Sequence, residues 1–208
     1  MQAVVVTEFG AEPRLAQLPV PDPGPTEVLV RIHAAALNPS DWKVADGALR
    51  NVAPHAFPLV MGSDGAGIVE KTGSRVSRFR AGDRVFGQFM QVQRGLGSYA
   101  EYSVADQDGV IASIPDGVAR PVAAALPTAG VAAYQAVEAA RLKPGQVVLI
   151  NGAGGGVGQF AIQFAARAGA RVLATGTADL AEHLQGLGAA MVFDFTRVPT
   201  HKQVATAY

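Results

Sequence analysis

Five glycines crowd one short stretch of this chain. Gly152, Gly154, Gly155, Gly156 and Gly158 follow directly on the apolar run QVVLIN, residues 146–151. They include the spacing Gly152-x-x-Gly155-x-x-Gly158. A residue without Cβ permits a tight turn and lets a ligand approach the backbone. Free amides at a helix start, helped by the helix dipole, suit an anion such as a pyrophosphate. Gly158, one turn further on, allows helix and sheet to approach closely. The spacing alone is a weak signal. Its position between an apolar strand and a helical pattern is the context that a nucleotide site requires. A tight turn with no ligand is the alternative reading.

The next strand, 171–175, bears on which nucleotide would fit. An NAD site usually places Asp or Glu about 20 residues on, for the ribose hydroxyls. Here the strand ends Thr175-Gly176-Thr177, without an acid. A 2′-phosphate would be repelled by an acid and tolerates hydroxyls, which favours NADP(H). Asp179 stands nearby, no Lys or Arg follows promptly, and Arg171 lies at the far end of the strand. NAD therefore stays open.

Other chemistries are poorly supplied. The chain has no cysteine, which removes disulfides, thiolate catalysis and sulfur-ligated metals. The four histidines, His33, His55, His183 and His201, form no pair and no HExxH, so no metal site is expected. Gly62-Ser63-Asp64-Gly65 is not a GxSxG elbow, and hydrolysis is unsupported. Lys+Arg and Asp+Glu both number 17, and no basic stripe suggests nucleic acid. No apolar run approaches about 18 residues, and MQAVVVTEFG lacks the basic start of a signal peptide, so neither a membrane span nor a leader is expected. The missing cysteines fit a reducing compartment, and the expected location is cytoplasmic. Hydride transfer needs no protein nucleophile, because the cofactor carries that chemistry.

The elements around the turn follow from pattern. Of 208 residues, 24 are Gly and 13 Pro, while 49% are hydrophobic and only 16% charged. The glycines and prolines therefore belong to turns of a folded body. Before residue 120 the chain reads as short strands at 2–7, 15–20, 27–36, 59–70, 98–104 and 109–114, with a turn at Gly82-Asp83. That pattern predicts a sandwich or barrel-like β domain. In 27–36, alternation places Val28, Val30 and Ile32 on one face and Leu29, Arg31 and His33 on the other. Asn38-Pro39-Ser40-Asp41 turns into a short helix that Ser40 or Asp41 can cap. Gly62, Gly65 and Gly67 predict close backbone approach or a bulge.

After residue 120 the period changes. Residues 121–140 predict two helical pieces, interrupted at Pro127 and Gly130, with Leu126, Val131, Tyr134 and Val137 on one face. Residues 146–151 predict a strand buried in a parallel sheet. Helix, strand 171–175, helix 178–185 and strand 191–195 follow, the start of a doubly wound sheet. The fold class is α/β, with a β domain over 1–120 and an incomplete Rossmann-type sheet over 121–208.

Four stretches carry a further likeness: GPTEVLVRIHAAALNPSDWK (24–43), LVMGSDGAGIVEKTGSRVSRFRAGDRVFG (59–87), GSYAEY (97–102) and LPTAGVAAYQAV through NGAGGGVGQFAIQFAARAGARVLAT (126–175). In this order they resemble the medium-chain dehydrogenase/reductase superfamily, most closely its zinc-independent quinone oxidoreductase branch. The resemblance implies a GroES-like alcohol dehydrogenase N-terminal domain, an NADP-binding Rossmann domain and a cleft between them. It implies NADPH as cofactor and a quinone, enone or similar activated carbonyl as the small-molecule substrate. Zinc-dependent relatives place a cysteine where Ser40 or Asp41 stands and a histidine near Asp64, and they carry a four-cysteine lobe. The absence of all three implies a metal-free reductase.

Carried over by residue, Asn38 and Asp41 match the NPxD pattern on the nicotinamide side and are the catalytic candidates. Asp41 as general acid would need a raised pKa and exposure, and helix capping is its other role. The implied cofactor set is Asn38, Gly152, Gly154, Gly155, Gly156, Val157, Gly158, Thr175 and Thr177. Leu49, Ala132 and Phe195 stand where related enzymes carry Tyr, Thr and Tyr. Trp42 and Tyr134 are aromatic candidates for the cleft.

A complete dinucleotide domain has six strands, whereas three are legible here. The expectation is that about 100 residues of sheet and a late segment completing the first domain are lacking. The strand at 146–151 would then be a bare edge beside apolar faces, inviting self-association. A catalytically inactive homologue acting as a nucleotide-binding or interaction protein is the alternative function.

Overall fold

The computed structural model describes residues 1–197, 201 and 203. The chain parts into two compact units, Met1–Thr128 and Ala129–Tyr208.

The first unit contains strands β1 (Gln2–Val6), β2 (Arg14–Gln17), β3 (Glu27–Ala35), β4 (Leu59–Val60), β5 (Asp64–Thr72), β6 (Arg84–Gln88), β7 (Tyr102–Asp106) and β8 (Ile111–Ser113). Helix α1 (Pro39–Ala45) follows β3, and α2 (Arg120–Ala124) follows β8. The strands form a three-stranded sheet, β2-β1-β4, and a five-stranded sheet, β7-β3-β5-β6-β8. Every pairing within both is antiparallel. Val28 and Val30 of β3 pack with Val69, Val85, Phe89 and Ile111 in the larger core. Helix α2 stays with this unit, since Ala123 and Ala124 are buried against Ala66 and Ile114.

Val28, Val30 and Ile32 of β3 share the larger core, as the alternation predicts, while Arg31 and His33 on the other face are exposed. Val28, Leu29 and Val30 are all buried. The pairing with β5 shifts register between Leu29 and Val30 and again between Ile32 and Ala34. At the first shift the pairing passes from Lys71 to Val69, so the extra residue, Glu70, lies in β5 and the alternation of β3 continues through it. The expected close approach occurs at Gly67, where a Cβ would lie 2.0 Å from the Arg31 carbonyl oxygen. The strand expected from Ser98 begins only at Tyr102. Residues 99–100 are drawn to β1 instead, through the Val4 amide to the Tyr99 carbonyl and an Ala3–Ala100 bridge.

The second unit contains α3 (Val131–Ala140), β9 (Val147–Ile150), α4 (Gly156–Arg167), β10 (Arg171–Gly176), α5 (Ala181–Gly186) and β11 (Ala189–Asp194). Its sheet is parallel, in the order β11-β10-β9. Ile162 and Ala165 of α4 and Leu184 of α5 cover Val172, Ala174 and Ala189. Pro127 and Gly130 fall within a π-helical turn, Leu126–Gly130, between α2 and α3.

Two apolar readings are corrected. Val131 and Tyr134 are exposed, so the predicted face of α3 is not buried as one stripe; only Val137 reaches the core. The strand expected to be buried on both faces is covered on one. Val148 and Ile150 pack inward, but Val147 and Leu149 remain 47% and 43% exposed. Among the described residues β9 pairs only with β10, leaving its outer edge unpaired.

Candidate functional site

Two polar constellations stand out, one in each unit. In the second unit, β9 ends and the chain turns through 151–155 into α4. Gly152 has φ +72°, a left-handed conformation that favours glycine. A Cβ on Gly158 would lie 2.5 Å from the Gly152 carbonyl oxygen and 2.6 Å from Ala153 Cα. The turn can fold back over the helix only because that atom is absent. Gly155 is the N-cap. The amides of Gly156, Val157 and Gly158 have no acceptor one turn earlier within the helix. Gly152, Gly155, Gly156 and Val157 are exposed, Gly154 is half-buried and Gly158 is buried. The turn and the start of α4 are therefore open to solvent.

Thr175, proposed from the sequence as a cofactor contact, has a different task. It is 1% exposed. Its hydroxyl accepts from the Gly152 amide at 2.9 Å and donates to Asn151 Oδ1 at 2.8 Å. The Ala153 amide donates to the Thr175 carbonyl at 3.1 Å. Thr175 thus ties the glycine turn to β10, and its polar atoms are committed there. Thr177, beyond the end of β10, is half-buried, and Asp179 is exposed.

The second constellation lies in the first unit at the start of α1. Pro39 occupies the first helical turn, where its missing N–H costs nothing. Asp41, two residues on, is 2% exposed and Asp64 is fully buried. Asp41 Oδ2 accepts from the Asn38 amide at 2.7 Å and from the Tyr99 hydroxyl at 2.6 Å, while Oδ1 accepts from the Ser63 amide at 3.1 Å. Asp64 Oδ2 accepts from Asn38 Nδ2 at 3.1 Å and the Thr128 amide at 2.8 Å. Its Oδ1 accepts from the Thr128 hydroxyl at 2.7 Å, which in turn accepts from Gln88 Nε2 at 3.0 Å. Burial, then the hydrogen bond to Asp41, then the charges of Asp41 and Asp64 push the Tyr99 phenol well above the ordinary tyrosine range.

This geometry corrects the role offered to Asp41. A general acid needs a proton and access to a substrate. Asp41 is enclosed, and both its oxygens are occupied by donors. It fastens the start of α1 to residues 63 and 99. Asn38 is also buried, at 6% exposed, and its Nδ2 is engaged by Asp64. Asn38 is the N-cap of α1 and forms a capping box with Asp41. The sequence does not single out Tyr99 or Thr128, and it marks Asp64 only by comparison with the zinc-dependent relatives. The partners of Tyr99, Asp64 and Thr128 lie 58, 26 and 64 residues away, beyond any local pattern.

The remaining candidates are dispersed. Leu49 packs beside Val6 and Val44, Trp42 is 51% exposed and Phe195 53%. Ala132 is exposed on α3. His33 is held below the usual histidine range by burial and by the Arg120 and Arg31 guanidiniums. His55 Nδ1 lies 2.9 Å from the Ala53 carbonyl. Among the described residues no three His, Cys, Asp or Glu side chains gather as metal ligands. No helix among them is long and apolar enough to cross a membrane.

Comparison with known proteins fits this arrangement. Residues 24–116 match the alcohol dehydrogenase GroES-like domain. A chloroplastic quinone-oxidoreductase homologue of Spinacia oleracea is 40% identical over 185 residues, 86% of this chain and 55% of its own. A solved NAD-dependent alcohol dehydrogenase superposes with a TM-score of 0.89 at 34% identity, covering 100% of this chain and 67% of its own. An Escherichia coli quinone oxidoreductase in complex with NADPH superposes with a TM-score of 0.88 at 27% identity, covering 100% and 62%. The chain spans just over half the length of the spinach relative. A GroES-like β unit followed by a parallel β-α-β-α-β unit, a glycine turn at the mouth of the first parallel strand, and these likenesses lead to one conclusion: the chain belongs to the medium-chain dehydrogenase/reductase superfamily, in its quinone oxidoreductase-like branch.

Proposed function

We propose that the chain binds NADPH at the 152–158 turn and serves a quinone-reductase type of oxidoreductase that works without zinc. The observation that carries this reading is the solvent-open glycine turn between β9 and α4. The residues fit the cofactor. Gly156, Val157 and Gly158 offer amides to the pyrophosphate at the positive end of a helix of 12 residues. Gly152 leaves open the space that a Cβ would fill, and Gly158 lets the turn close over the helix. The end of β10 offers Thr177 and no adjacent acid, which supports a 2′-phosphate over bare ribose hydroxyls. The Escherichia coli relative solved with NADPH supports the same choice.

When bound, NADPH supplies a hydride to an electron-poor acceptor such as a quinone or enone, and water supplies the proton that completes the reduction. The chain's own residues bind and orient. Asn38, at the start of α1, is proposed to hydrogen-bond the acceptor. Asp41 and Tyr99 hold the start of α1 so that Asn38 keeps its position. Zinc independence is supported by the donor set: there is no cysteine, and Asp41 and Asp64 already accept hydrogen bonds on all four oxygens. The oxidoreductase relatives do not favour a non-enzymatic homologue. A fluorescence titration with NADPH tests the cofactor site, and NADPH oxidation with a simple quinone tests turnover. Saturable binding and quinone-dependent oxidation are expected. Binding without oxidation would revive the interaction-protein reading, and no binding would overturn the proposal.

A further inference from the structure

The peptide joining Gly154 to Gly155 is pinned at both ends. Its N–H donates to the Gly152 carbonyl at 3.2 Å. Its carbonyl accepts from Gln159 Nε2 at 3.0 Å. Gln159 is itself steered, because its Oε1 lies 2.9 Å from His183 Nε2 on α5. These two contacts fix the amide's orientation: Nε2 must face the Gly154 carbonyl, so Oε1 must face His183, whose Nε2 therefore carries the hydrogen. From the same side, Leu180 closes on Gly154, where a Cβ would come within 2.8 Å of its Cδ1.

A peptide between two glycines meets little steric resistance to rotation. Released from Gln159, the Gly154 carbonyl oxygen could turn toward the amides of Gly156 and Val157. An oxygen there would compete with an anion for the same donors. We propose that Gln159, oriented by His183, is a positioning residue of the dinucleotide turn, holding the Gly154 carbonyl away from the phosphate-facing amides. This rests on the NADPH reading above. It adds two residues, one of them on α5, that the glycine pattern does not contain.

The test uses the 208-residue chain and NADPH fluorescence titration, with inorganic pyrophosphate as competitor. Gln159→Leu is expected to raise the Kd for NADPH about tenfold, as fits the loss of a hydrogen bond, and to weaken pyrophosphate competition in parallel. His183→Ala is expected to raise it about threefold, a smaller effect because Gln159 can still reach Gly154. His183→Gln keeps an N–H donor and is expected to restore binding to near the parent value, which a merely structural role for His183 would not predict. If the parent chain fails to bind NADPH, the dinucleotide reading falls and this one with it. If the parent binds and Gln159→Leu binds equally well, only the positioning role is overturned. Should Gln159→Leu melt early, the exposed His183 pair decides: loss in Ala without recovery in Gln overturns the proposal.

Discussion

The two units handle polar groups in opposite ways. The first takes two carboxylates into its interior and gives every oxygen a donor. The second keeps its polar feature, the glycine turn, open to water and leaves one face of β9 uncovered. The first unit's network is therefore a matter of stability, because a buried charge is tolerable only when hydrogen-bonded. On the proposed reading the second unit's turn is a matter of recognition, because the amides of Gly156, Val157 and Gly158 have no acceptor within the helix. Site-directed changes should separate these two kinds of polar group by their effects.

The largest effect is expected at Asp64. Asp64→Ala strands Asn38 Nδ2, the Thr128 amide and the Thr128 hydroxyl in the interior, at a cost of about 3–5 kcal/mol. The single tryptophan, Trp42, lies in α1 beside this network. Its fluorescence in urea should report an earlier transition. An unchanged midpoint would show that the network contributes little to stability.

Next comes Gly158→Val. Side-chain atoms there meet the backbone of Gly152 and Ala153, and overpacking of this kind costs about 1–3 kcal/mol. NADPH affinity should fall by more than tenfold while the Trp42 transition stays put. A loss of stability in the first unit instead would erase the contrast between the two units.

The uncovered strand should matter less and depend on concentration. Val147 and Leu149 beside an unpaired edge invite pairing with another copy. Sedimentation of the parent chain should show association that grows with concentration. Leu149→Lys should weaken it by about tenfold, as a charge on an edge strand does. A parent chain that stays monomeric would defeat this expectation.

The smallest effect concerns pH. Asp106 is held below the usual carboxylate range, first by the Thr26 hydroxyl at 2.5 Å and then by the Asp108 amide. A depressed folded value stabilises the fold above the unfolded value of about 4. That stability is lost as pH falls through the folded value. Thr26→Val should cost less than about 1 kcal/mol at pH 7, because the pair is screened by solvent. The difference from the parent should vanish in strongly acid buffer.

Legibility followed the range of the interactions. The glycine turn was readable because its cause is local: a strand, residues without Cβ and a helix adjoin in sequence. Strand order in the second unit was readable for the same reason, since parallel connections obey a handed rule. The burial of Leu29 on the second face of β3 was not legible, because it depends on what packs there and leaves no mark on the alternation. The exposed face of β9 was missed because burial depends on what packs against a strand as well as on its own composition. The Asp41–Tyr99 and Asp64–Thr128 contacts span 58 and 64 residues, and only the folded chain brings them together. Thr175 was noticed for its hydroxyl, but the direction of that hydroxyl was set by Asn151 and Gly152.

Tyr99 offers a spectroscopic use of the enclosed carboxylates. With its phenol held protonated where a free tyrosine would ionise, the ultraviolet band of tyrosinate at this residue should emerge only as the first unit comes apart in alkali. A Tyr99→Phe chain should give the same absorbance as the parent before that collapse and one phenolate less after it. The protein thus carries its own optical marker of the moment its interior meets hydroxide.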